Sequence, residues 1–244
     1  MSAYAQSPAP ASARRIFLKG VTDGLPFVLV ITPFGLLFGV VATEAGLQVH
    51  EALTFSVAVI AGAAQFTALQ LLQHAAPVLI VLVSALTVNL RMAMYSASLT
   101  PYIGAAPLWQ RALVAYLLVD QTYACAVTAY EKHPEWTVRD RLAYFFGVAA
   151  PIVPPWYLLT LIGARVGDTI PPEWSLDFAV PITFIALVAP MLRTLPHLAA
   201  CFTAVVLSLL LAGLPWNLGL LAAALLGMMA GAATERHLAG RNLP

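Results

Sequence analysis

Ala75-Ala76-Pro77-Val78-Leu79-Ile80-Val81-Leu82-Val83-Ser84-Ala85-Leu86-Thr87-Val88-Asn89-Leu90-Arg91 begins the stretch that decides the fold, which continues to Ala129. The stretch holds two membrane-length apolar runs. The first contains Asn89-Leu90-Arg91, and the second contains Asp120-Gln121 at its centre. A charge at the centre of a membrane helix costs about 2.5–3.5 kcal/mol on insertion scales, so each such residue is by default a functional candidate.

Composition places this stretch in a membrane. Of the 244 residues, 61% are hydrophobic and 9% charged, and the mean hydropathy is +0.85. Soluble domains carry nearly three times that charge, and the apolar runs are too long for the alternating strands of a membrane barrel. A net charge of +1 gives no electrostatic basis for binding nucleic acid. Cys125 and Cys201 sit in apolar runs with no ligand-spaced partner, which reads as packing, with no metal site.

Outward from the central stretch, the sequence predicts an all-α integral membrane protein of about eight spans. Residues 1–15 read as a disordered tail, 16–234 as one transmembrane domain, and 235–244 as a cytoplasmic tail. Ile16–Gly24 reads as an amphipathic lead-in at the membrane interface, and the apolar run after it as a retained first helix, because it is about 20 residues long and more spans follow. The spans are expected near 25–43, 52–72, 75–98, 111–129, 142–162, 178–192, 198–212 and 218–233. The last three are near the lower length limit, which leaves seven as the alternative count. Pro151, Pro154 and Pro155 predict a kinked or broken fifth span. With the N-terminus inside, nine Lys and Arg fall on inner segments and two on outer ones, Arg111 and Arg165. That split places both termini in the cytoplasm. A shift of 124 residues sets Leu37-Phe38-Gly39 on Leu161-Ile162-Gly163, which suggests a parallel 3+1+3 repeat. Apolar composition also matches itself by chance, so repeat and coincidence both stay open.

The polar residues in the spans carry the functional reading, each beside a plainer one. Asp120 reads as a proton or substrate-ammonium site, or as a structural ion pair. Arg91, with spans 3 and 4 antiparallel, lies at a depth similar to Asp120 and pairs with it, or snorkels to the outer interface. Asn89 is placed to satisfy part of the guanidinium. Gln65, in Gly62-Ala63-Ala64-Gln65-Phe66, offers its amide to a ligand at an unwound point, or braces helices. Gln121, Tyr95, Tyr123 and Tyr157 add polar lining, and Phe66 and Trp156 apolar lining. Asp177, before Phe178-Ala179-Val180-Pro181, has normal helix-start chemistry. No nucleotide loop, zinc pair or nucleophile elbow is present, so neither an enzyme nor a cofactor is expected.

Taken in order, Gly62-Ala63-Ala64-Gln65-Phe66, Asn89-Leu90-Arg91, Asp120, and Leu176-Asp177-Phe178-Ala179-Val180-Pro181 with Pro190 resemble the AzlC family of branched-chain amino acid permeases. The resemblance runs from about Val21 to Gly231. It implies an inner-membrane subunit that exports branched-chain amino acids, driven by the proton gradient, with a small hydrophobic AzlD-type partner. Two positions depart from the family pattern: Met92 stands where histidine is usual, and Gln121 where glutamate often follows the aspartate. The alternatives are a passive pore and a non-transporting assembly subunit.

Overall fold

The computed structural model describes residues 12–167, 185, 192–214 and 218–241. The described residues are helical, with no strand among them. The chain resolves into two compact units: the described residues of Met1–Gln65 and Val88–Thr169 form one, and those of Phe66–Thr87 and Ile170–Pro244 the other.

The first unit is framed by two rods. Helix α1 (Ala13–Gly24) passes through Leu25, itself helical, into α2 (Pro26–Glu44). Pro26 takes the first position of α2, where its missing N–H costs nothing. The second rod is α8 (Val138–Ala149) followed by α9 (Val153–Gly167), broken at 150–152 beside Pro151, as the three prolines predict. α1 packs along α8 through Ile16, Gly20 and Gly24. It therefore belongs to the bundle and is not a separate lead-in. It also begins at Ala13, inside the expected disordered tail.

Glycines set how closely the rods approach. A Cβ on Gly39 would overlap the Thr160 carbonyl, and one on Gly163 would overlap the Leu36 carbonyl. Gly20 and Gly147 are related in the same way to the carbonyls of Tyr144 and Phe17. Small-xxx-small spacing allows such backbone contact where lipid supplies no hydrophobic drive between helices. The pairings advance together, from Gly35 beside Leu159 to Gly167 against Val40 and Thr43, so the rods run parallel.

The two expected spans at 52–72 and 111–129 are not continuous helices. α3 (Val49–Ala58) ends at an extended Val59, and α4 (Gly62–Gln73) starts after Ala61. Gln65 Nε2 donates to Ser56 Oγ at 3.0 Å across nine residues. Nine residues of straight helix rise roughly 13.5 Å, beyond the reach of these two side chains, so the chain doubles back.

The second hairpin is clearer still. α5 (Val78–Ile103) is joined by a short turn to α6 (Leu108–Tyr116), which returns antiparallel along it. After Leu117–Val119, α7 (Asp120–Lys132) reverses again. Its contacts with α5 keep an offset of 28 or 29 residues, in Arg91–Asp120, Tyr95–Tyr123 and Tyr102–Tyr130, so α5 and α7 are parallel. Spans 3 and 4 were expected to be antiparallel; only the α6 half is.

One end of this unit collects the start of α1, the ends of α5 and α7, and the start of α8. Arg141 closes it, donating to the Tyr102 carbonyl at 3.0 Å while Tyr130 Oη donates to the Arg141 carbonyl at 2.7 Å. Leu99, Tyr130, Phe145, Val148 and Trp156 belong to the buried core between these helices.

In the second unit, α10 (Leu195–Leu210) and α11 (Leu218–Arg241) form an antiparallel hairpin, with Gly227 and Gly231 against Ala200 and Ala204. α11 continues to Arg241, so most of the expected C-terminal tail is helix. The sixth expected span and Asp177 lie outside the described residues, Ile185 excepted. Among the described residues, four helical stretches are long and apolar enough to cross a membrane: Pro26–Glu44, Val78–Ile103, Val138–Gly167 and Leu218–Leu238.

Gly163→Ala should lower unfolding stability in detergent micelles by about 1–3 kcal/mol, the usual cost of overpacking. Gly240→Ala, with nothing within 4 Å, should cost nothing. Equal stability of the two variants would remove the glycine contact from this account.

Candidate functional site

The site forms where the second hairpin turns. Val119 is extended, and Asp120 is the first residue of α7. Thr122, fully buried, does the local work: its Oγ1 accepts the Val119 N–H at 2.9 Å and lies 3.1 Å from the Leu117 carbonyl. Backbone groups freed by a break inside a membrane must find such partners. A carboxylate in the first turn also meets the positive end of the helix dipole. Asp120 is therefore a helix-start residue at a hairpin tip, not the middle of a continuous span.

α5 presents Arg91, Tyr95 and Ser98 to this tip, on one helical face. Arg91 Nη1 reaches Asp120 Oδ2 at 2.9 Å, and Tyr95 Oη donates to Oδ1 at 3.0 Å. Tyr95 stacks on Tyr123 at 4.1 Å between centroids, and Tyr123 Oη donates to Ser98 Oγ at 3.0 Å. Arg91 is thus a paired residue and does not snorkel. The pair is partly open, with side-chain exposures of 33% and 42%. Asn89 Oδ1 and Arg91 Nε are buried without a hydrogen-bond partner. Arg91 Nε is thus an unmet donor at a half-open ion pair, which leaves polar capacity for a further group, whereas Asn89, two residues earlier on α5, does not share the Arg91 face.

Gln65 is not part of this arrangement. It is fully buried, bonded to Ser56, whose Oγ lies 2.9 Å from Thr160 Oγ1. That chain ties the first hairpin to α9, which is the brace reading, although Gln65 Oε1 and Trp156 Nε1 remain unpartnered. Trp156 lines the first turn of α4, with its ring 3.2 Å from where a Gly62 Cβ would lie. Gln121 follows Asp120 in α7, and its side chain makes no hydrogen bond among the described residues. Cys125 and Cys201 are free thiols.

Tyr116, the last residue of α6, was not singled out from the sequence. Its hydroxyl donates to the Val57 carbonyl at 2.7 Å and lies 2.8 Å from Tyr157 Oη. It joins the tips of both hairpins to α9. The Asp120-Gln121-Thr122 triplet was a readable helix-start signal, masked by the apolar residues on either side.

The apolar helical stretches, the hairpins that turn between them and the partly open ion pair at a hairpin tip define an all-α membrane protein. The chain belongs to the AzlC family: the family described as AzlC protein matches residues 26–170, more than half its length. It is similar to the inner membrane protein YgaZ of Escherichia coli strain K12, 27% identical over 187 residues, covering 74% of this chain and 75% of that one. An uncharacterized membrane protein of Archaeoglobus fulgidus is 27% identical over 222 residues, covering 88% of this chain and 94% of its own. Another from Helicobacter pylori strain 26695 is 27% identical over 176 residues, covering 70% and 75%. No solved structure matches the chain.

Thr122→Val keeps the shape and removes the hydroxyl that satisfies the tip. It should cost about 1–3 kcal/mol of micellar stability, the range for stranding buried backbone groups. Thr54→Val, which loses only an exposed bond to the His50 carbonyl, is the matched control and should stay within about 0.5 kcal/mol. A similar cost in both would mean the tip is held by other groups.

Proposed function

We propose that the chain is a secondary transporter subunit that exports branched-chain or other neutral apolar amino acids across the inner membrane, coupled to protons. The observation that carries this reading is the half-open Arg91–Asp120 pair at the tip of a helical hairpin. A zwitterion needs one cationic and one anionic partner. Arg91 would take the carboxylate and Asp120 the ammonium, each giving up part of its bond to the other. Broken helices are where transporters commonly bind substrates and coupling ions. With Met92 and Gln121 in place of titratable groups, Asp120 is the acid at the tip left to carry the proton. Tyr95 and Tyr123 complete the lining, and Gln65 braces the first hairpin against α9 through Ser56.

The hairpins also bear on orientation. The end where α1 starts carries Arg14, Arg15, Lys19, Arg111, Lys132, Arg139 and Arg141, whereas Arg165 lies at the opposite end of α9. If spans 2 and 4 are re-entrant and the other six cross, Arg193, Arg236 and Arg241 fall on the same side as that basic end. Ten cations against Arg165 alone then favour a cytoplasmic location for both termini, a sharper split than eight full crossings give. The close pairing of Gly39 and Gly163, 124 positions apart, supports a repeat relating α1–α2 to α8–α9. A small AzlD-type membrane subunit is the expected partner. Substrate and proton must each bind inward- and outward-open states differently for coupling to occur.

Proteoliposomes holding the chain with such a partner should show concentrative leucine or valine efflux when a pH gradient is imposed. Asp120→Asn should reduce gradient-driven flux at least 100-fold while the protein still inserts. Arg91→Lys keeps the charge without the planar fork and should raise the KM for substrate about 10-fold or more. Gradient-insensitive downhill flux in the wild type would identify a pore. Flux that survives Asp120→Asn would sink the assigned role.

A further inference from the structure

The first unit contains a second charged feature, distinct from the hairpin tip. A cleft of about 470 Å³ opens between α1, α7 and the first half of α8, within the roughly 300–1,000 Å³ range of small-molecule sites. Lys19, Asp23, Phe27, Cys125, Lys132 and Tyr144 line it, with Thr128 and His133 at its edge.

Its charges are arranged in a specific way. Asp23 Oδ2 receives both Lys19 Nζ at 2.8 Å and Tyr144 Oη at 2.7 Å. This fixes the carboxylate and leaves Oδ1 without a partner among the described residues. Burial pushes the Asp23 carboxyl up, but the bonds from Lys19 and Tyr144 and the nearby Lys19 and Lys132 charges more than reverse it, holding it below its ordinary 3.8. Asp23 is therefore ionised at neutral pH. Lys132, on the facing helix, forms no ion pair among the described residues. His133 is bonded instead to Glu135 at 3.0 Å. The cleft thus offers an anchored anion with one free oxygen, a free cation across from it, and the apolar Phe27 and Cys125.

Position adds a second argument. Lys132 and Asp120 lie at opposite ends of α7. Ala124 and Thr128, both exposed, continue the spacing of four between them and form a strip of small side chains. Twelve residues of helix span roughly 18 Å. The cleft therefore lies at the basic end of the helix whose other end holds the candidate transport site.

We propose that this cleft is a loading site for a free neutral amino acid, resting on the transport reading above. Lys132 takes the carboxylate, Asp23 Oδ1 takes the ammonium, and the apolar side chain lies against Phe27. Exported substrate is captured there before it passes along α7 to Asp120.

Thr128→Cys, in a Cys125→Ala and Cys201→Ala background, places a reporter thiol at an exposed position in the cleft. In proteoliposomes of the full chain, leucine should slow its modification by a methanethiosulfonate reagent at least fivefold. Protection should persist with Asp120→Asn and vanish with Asp23→Asn and Lys132→Gln together. No protection, or protection lost with Asp120→Asn but kept with the cleft substitutions, would overturn the site. Wild-type flux measured alongside keeps the two ideas apart: protection without flux leaves the cleft site standing and removes only the transport reading.

Discussion

The hydrogen bond from Tyr116 Oη to the Val57 carbonyl is where the constraints of this structure meet. In a bilayer no water is available to satisfy backbone groups, so a helix can be interrupted only where protein supplies the missing partners. The first unit interrupts two helices, at 59–61 and 117–119. Tyr116 reaches from the end of one half-helix to the last turn of another, and Tyr157 ties that contact to α9. Thr122 closes the second tip from within. Without these hydroxyls the breaks would leave bare carbonyls and N–H groups in an apolar setting, each costing several kcal/mol.

The parallel rods make this interruption tolerable. Their glycines bring backbones into contact and produce a rigid frame against which α3 and α7 rest. A hairpin of half-helices needs such a wall, because helices of 9–13 residues are too short to be stable on their own. The frame in turn allows a charge at the tip. Asp120 sits at the positive end of a helix dipole and within hydrogen-bonding distance of Arg91 and Tyr95. A single carboxylate in the middle of a straight span would have none of the dipole and only part of the pairing.

The two charged features on α7 differ in character. At the tip, the ion pair is closed on itself and half open to its surroundings. In the cleft, Asp23 is held by its own helix and by α8, while Lys132 has no counter-ion among the described residues. A closed pair suits a step in which a ligand must compete for entry. An open pair suits capture.

Much of the architecture was legible in the sequence. Composition and run length established a helical membrane protein, because burying so many apolar side chains leaves few other outcomes. Arg91 and Asp120 announced themselves by their cost in hydrocarbon, but depth alone left their pairing open beside a snorkelling arginine, and the antiparallel arrangement behind that reading holds only for α6. The Gly-xxx-Gly spacings at Gly20, Gly35 and Gly163 were also present to be read as close helix contacts. Hydropathy could not distinguish a helix that crosses from one that turns back, since both bury the same apolar residues over the same length. That distinction rests on whether Tyr116, Thr122 and Ser56 find partners 59, 5 and 104 residues away, respectively. Only the folded chain brings those groups together. It is also what moved Asp120 from the middle of a span to the tip of a hairpin.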